Sequence, residues 1–159
     1  MDKRWLSIYL RDHHAASAGG VALARRALGS SHPLSEQIAR DRKTLEELMR
    51  QLGVPPNAMK VGFVRMAERL SRLKLNGRLF KHSPLSRIVE LEALVVGIRG
   101  KEALWTALLT AGVRVQGIDL EALIESARTQ AKEVDEQRLI AVADVFNRNR
   151  THQAQEVSA

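Results

Sequence analysis

The sequence predicts an all-α protein, and three observations carry that prediction. The apolar fraction of 45% comes almost entirely from Leu, Ala, Val and Ile, with aromatics at 4%. Leu, Ala, Arg and Glu, all strong helix formers, dominate long windows of the chain. No run alternates apolar and polar residues between turn signals, as a half-buried strand requires. At 159 residues the chain is long enough for one domain with a real core.

The first helix is expected over 3–28. Leu6, Tyr9, His13, Ala16, Gly20, Leu23 and Ala27 recur at steps of three and four, and the phase is the same on both sides of Gly19-Gly20. A turn there would reset it, so the glycines are expected inside one helix despite a cost of roughly 1 kcal/mol each. The small run Ala15 to Gly20 predicts a contact surface for a neighbouring helix. "GSSHP" ends this helix, and Pro33 opens the next.

Helix two is expected over 34–52, with Leu34, Ile38, Asp41, Leu45, Leu48 and Leu52 on one stripe. "GVPPN" terminates it, because two prolines after a glycine cannot continue a helix. A shorter basic helix is expected over 58–75, stopped at Asn76-Gly77. Ser83-Pro84 starts a long helix over 84–111, apolar nearly all round from Ile88 to Leu109, which reads as a central, buried element. Its Gly97 and Gly100 are expected to face the small stretch of helix one. Asp119 caps the last helix, expected over 119–146 with Leu120, Ile124, Ala127, Ala131, Val134, Ala141 and Val145 on one stripe.

The whole is a single domain over 1–147, a four-helix bundle with an additional shorter basic helix between helices two and three. A tail over 148–159 lacks periodicity and is expected to be disordered. The segment 58–82 is long enough to cross the bundle, which allows a ferritin-like order; an up-and-down five-helix bundle fits equally. No period of 30 to 45 residues suggests a solenoid.

The chemistry readable from the sequence is sparse. Cysteine is absent, which excludes disulfides and thiolate sites. Neither a secretory signal nor an apolar run of membrane-spanning length is evident, so a cytoplasmic protein is expected. A Gly-x-Ser-x-Gly turn and a glycine-rich phosphate loop are also missing. No cofactor is expected, and an enzymatic role is not.

Asp12, His13, Asp41, Glu92, Asp135 and Arg138 lie on or beside apolar stripes. They are expected to form a hydrogen-bonded polar cluster, with Asp135 and Arg138 as an i, i+3 ion pair, because buried charges persist mainly when paired. A degenerate metal site from Asp12, His13, Glu92 and Asp135 is the alternative. Against it, the Glu-x-x-His pair that aims a carboxylate and an imidazole at one ion in di-metal bundles occurs nowhere in the chain. His13 and His14, being adjacent, point about 100° apart and cannot comfortably share one ion.

The charge is strongly localised. Residues 60–82 hold seven lysines and arginines against Glu68 alone, and so carry six of the seven net positive charges. Arg65, Arg69 and Arg72 share one helical face beside Phe63, Met66, Leu70 and Leu73. That pattern predicts either a solvated face of a docked helix or a docking patch for an acidic partner such as nucleic acid, acidic protein or anionic lipid. Few aromatics accompany it, which disfavours base stacking. The oligomeric state stays open, a homo-oligomer included.

"YLRDHHA" at 9–15, "GIRGKEALW" at 97–105 and "QAKEVDEQR" at 130–138 resemble a group of small, uncharacterised bacterial helical proteins. That resemblance implies a ferritin-like shape without an assigned activity. It carries Asp12, His13, Asp135 and Arg138 over as a polar cluster. The functional expectation is a non-enzymatic binding module; the alternative is a ferritin-like metal-binding protein.

Overall fold

A computed structural model describes residues 2–56 and 85–156. Among them there are four helices and no strand: α1 (Lys3–Leu28), α2 (Pro33–Gln51), α3 (Leu85–Thr110) and α4 (Leu120–Glu156). The expected basic helix at 58–75 lies outside the described residues.

Each helix end follows from local chemistry. Asp2 caps α1 by accepting the Arg4 N–H at 2.9 Å. The His32 ring does the same for Leu34 at 3.2 Å, with Pro33 at the first helical position. Asp119 accepts from the Ala122 N–H at 3.0 Å to start α4. The ends of α2 and α3 share one device. Gly53 and Gly112 take positive φ of 68° and 71°, which lets Val54 N–H reach Met49 O and Val113 N–H reach Leu108 O. Those bonds satisfy carbonyls that the ending helix leaves open. The valine that follows each glycine is buried, locking the turn onto the core.

Two apolar clusters fill the interior. At one end Val21, Ala24 and Ala27 meet Leu34, Ile38, Ile88, Leu91, Leu94, Ala131 and Val134. At the other Leu10 meets Leu45, Leu48, Met49, Leu104, Trp105, Leu108, Leu120 and Ile124. The order in which each helix passes through the clusters gives its direction. α1 and α4 run one way, and α2 and α3 run the other. Side chains link α1 to α2, α1 to α3, α3 to α4 and α2 to α4, for example Arg26 to Glu90 at 2.8 Å and Gln130 to Asp41 at 3.1 Å. Four helices thus stand at the corners of a square with antiparallel neighbours. Pro56 and Leu85 consequently lie at opposite ends of a bundle about 39 Å long, taking 1.5 Å per residue of α3.

Four expectations change. The buried residues of α1 are Leu10, Val21, Ala24 and Ala27: Ala27 is on the expected stripe, and the other three lie one residue on from the expected Tyr9, Gly20 and Leu23. Small residues on several faces of its middle leave periodicity without a clear phase. α3 is one of four equivalent corners rather than a central helix, and Val96 is 71% exposed. Gly20, Gly97 and Gly100 do not meet a neighbour, since a Cβ on any of them would find no atom within 4 Å. Finally, α4 passes its expected end near 146 and continues to Glu156. The stretch from 148, expected as a disordered tail, is helical backbone to that point. Neither proline nor glycine follows Gly117 to stop it, and missing periodicity signals a missing partner, not a missing helix.

Candidate functional site

The polar residues of the interior gather in a layer between the two apolar clusters. Its centre is Lys101 of α3. The ammonium donates to Asp41 Oδ2 on α2 and to Gln130 Oε1 on α4. Gln130 Nε2 returns bonds of 3.1 Å to Asp41 Oδ2 and to Ser126 Oγ. The Lys101 and Asp41 side chains are 16% and 12% exposed, and Gln130 is 1% exposed, so three helices meet at a nearly dry polar contact. Burial pulls the Lys101 pKa below its ordinary value, while the adjacent Asp41 carboxylate opposes that shift.

A second network joins α1 to α2 at the same level. Arg42 Nη1 donates to His14 O at 3.0 Å and to Ser17 Oγ at 2.6 Å. Ser17 Oγ in turn donates to His14 O at 2.7 Å. The small run in α1 therefore does admit a neighbour, although the visitor is an arginine head group instead of a glycine face. His14 Nε2 lies 3.0 Å from Glu46 Oε1 and 3.1 Å from Arg42 Nη2. One ring nitrogen cannot donate to the first and accept from the second. With a proton on Nε2 the bond goes to Glu46, which Arg42 Nε also holds at 3.2 Å.

The residues singled out from the sequence separate into three places. Asp41 sits in the central layer. Asp135 and Arg138 form the expected i, i+3 pair at 2.7 Å, and Glu92 approaches Arg138 at 3.8 Å. Asp12 is exposed. His13 packs edge-on against Tyr9 with centroids 4.6 Å apart, and burial lowers its pKa despite Asp12. One joint cluster of the six is thus not formed. Among the described residues no group of three or more His, Asp or Glu is placed to hold a metal ion. The residues offered as the alternative metal set therefore stay apart: Glu92 and Asp135 flank an arginine, and Asp12 and His13 belong elsewhere. Arg65, Arg69 and Arg72 lie outside the described residues.

Lys101, Gln130, His14 and Arg42 were missed as members of a polar core. A signal existed for two of them. Lys101 continues the apolar stripe Leu91, Leu94, Ile98, Leu104, and Gln130 interrupts the stripe Ala127, Ala131, Val134. A polar residue at a core register is itself the sign of a buried partner.

Outside the interior, a groove of about 230 Å³ lies between the end of α1 and the start of α2, lined by Arg25, Ser30, Ser35, Glu36, Ala39, Arg40 and Lys43. Among the described residues no helix is long and apolar enough to cross a membrane. No protein-family model, no curated protein and no solved structure matches the chain.

Proposed function

We propose that the protein is a non-enzymatic helical-bundle binding module whose basic segment docks an acidic partner. The observation that carries this reading is the placement of six of the seven net positive charges within residues 60–82. The interior supports it by contrast. Lys101, Asp41 and Gln130 satisfy one another, so the central layer spends its charges on holding helices together. Residues Arg65, Arg69 and Arg72 are the proposed contacts. The helix directions, together with the opposite placement of Pro56 and Leu85, favour a ferritin-like order over an up-and-down one. Among the described residues, no group of three or more His, Asp or Glu is placed in favour of the metal-binding reading of that shape.

The test is a salt titration of binding to a labelled oligonucleotide used as a generic polyanion. Each phosphate neutralised releases counterions, so three arginines predict a log–log slope of roughly −2 to −3. A variant with Arg65→Gln, Arg69→Gln and Arg72→Gln should lose that slope and keep its helical circular dichroism and unfolding midpoint. Binding that the triple substitution leaves unchanged would remove the patch from consideration.

A further inference from the structure

We propose that the outward face of α3 is the contact surface of a two-fold dimer of this chain. The face shares no residue with 60–82, so the dimer stands or falls separately from the docking reading above.

Val89, Ala93, Val96, Gly100, Ala103 and Ala107 recur along α3 at alternating steps of four and three, the spacing of a helix side that meets another helix. All six are exposed or half-exposed, Val89 by 43% and Val96 by 71%. The buried residues Leu91, Leu94, Ile98 and Trp105 occupy the opposite side. A solvated helix face ordinarily carries charged and polar groups, and this one carries none over about five turns. α3 is therefore apolar on two sides, and only one of them faces the bundle. Leu139 and Phe146 on α4 extend the patch, 52% and 57% exposed. They follow Asp135 by four and eleven residues, on the side of α4 where Arg138, held by Asp135, meets Glu92, and so stand beside the start of α3. An apolar patch of that extent with a charged rim marks a protein contact.

The pattern of the face points to a second copy as its occupant. Gly100 lies mid-helix, where glycine costs roughly 1 kcal/mol against alanine, yet a Cβ there would meet nothing within 4 Å. Nothing inside the bundle uses that gap, whereas an antiparallel copy of α3 does. With the two-fold axis midway between Leu94 and Val95, Val89 of one copy lies level with Gly100 of the other, and Ala93 with Val96. Each larger side chain then faces a small residue, which lets the helices approach closely. The charges agree with the same axis. Glu92 and Arg99 flank the stripe on its α4 side, with side chains 53% and 55% exposed. The axis sets Glu92 of each copy within about 3 Å of level with Arg99 of the other, taking 1.5 Å per residue. Opposite charges therefore meet twice across the rim, which fixes partner and register.

The experiment measures the mass of the full-length protein by sedimentation over a range of concentrations, and a monomer–dimer equilibrium is expected. Val96→Glu should weaken the dimer about a hundredfold or more, because it buries a charge without a partner. It should keep the helical circular dichroism of the parent, since Val96 is exposed in the single chain. Glu92→Arg and Arg99→Glu should each weaken the dimer about tenfold through like charges across the axis. The two together should restore it, which a purely structural role of either residue would not do. The chain contains no cysteine, so Val96→Cys carries a single thiol, shielded from maleimide in the dimer and labelled on dilution. A monomer at every concentration, a dimer indifferent to Val96→Glu, or a double exchange that fails to restore association would each overturn the proposal. A thiol shielded in the monomer would overturn it as well, and would assign the face to residues 57–84 of the same chain.

Discussion

Lys101→Met isolates what the central layer contributes. The substitution keeps the length of the side chain and removes its charge. Asp41, whose side chain is 12% exposed, would retain only the Gln130 amide at 3.1 Å, and Gln130 Oε1 would lose its donor. Breaking one side of a buried pair costs about 3–5 kcal/mol, because the remaining charge stays desolvated. The slight solvent access at this site argues for the lower end, about 3 kcal/mol. For a chain of this length each kcal/mol lowers Tm by about 2–4 °C, so a drop of about 6–12 °C is expected.

Urea unfolding followed at the helical circular dichroism band measures the loss directly. Asp41→Leu alone should destabilise in the same way, since it strands a buried ammonium. The double variant should recover most of the loss, because apolar groups of similar size replace the pair. A loss below about 1 kcal/mol in the single variant, or simple additivity of the two, would refute the buried pair. Lys101 would then be reaching water and contributing no more than a surface ion pair.

Two further outcomes follow from particular residues. Gly97→Ala should raise stability by roughly 1 kcal/mol, because the site is helical with nothing within 4 Å of the new methyl, whereas Gly53→Ala and Gly112→Ala should lower it, their φ of 68° and 71° being unfavourable with a Cβ; thermal unfolding of the three variants reads the opposite signs. His13 has its pKa lowered from 6.5 by burial, so the unfolded chain takes up the proton first as pH falls. Stability should accordingly be full above about 6.5 and decline as pH falls toward the folded value, and His13→Gln, compared with the parent by urea unfolding across that window, should remove this part of the decline.

Helix existence was legible because punctuation and period agreed. Gly53 and Gly112 each precede a buried valine at a helix end, and Asp119 and Pro33 mark starts whose caps the structure forms. α2 was legible to within one residue at each end: Leu34, Ile38, Leu45 and Leu48 of the expected stripe are buried, and Ser35 and Met49 join them. α1 was not, because Ala, Ser and Gly around residues 15–20 look alike on every face, and only the tertiary position of Arg42 chooses among them. The same limit hid the central layer. A lysine reads as surface until the residues facing it are known, and its partners Asp41 and Gln130 lie 60 and 29 residues away. The ion pair of Asp135 with Arg138 was legible because it is local, three residues apart on one helix face.

The position of the polar layer bears on why this chain holds one arrangement of its helices. One apolar cluster is built from Leu, Ile, Val and Ala and the other from Leu, Ile and Val with Met49 and Trp105, and aliphatic side chains pack almost as well after a helix slides by one turn or exchanges neighbours. Lys101 does not permit that exchange. Its ammonium is satisfied only when α2 presents Asp41 and α4 presents Gln130 at the same height, and a slip of one turn on either helix strands a charge between two oily clusters. Arg42 does the equivalent for α1, whose small residues expose the His14 carbonyl and the Ser17 hydroxyl to it. Each of the four helices is therefore tied to the layer by at least one polar contact, and α2 is tied twice. Stability is supplied by the clusters at the ends. Register, and with it the antiparallel order that puts Pro56 and Leu85 at opposite ends, is supplied by the charges between them, in the way single buried polar residues fix register in coiled coils.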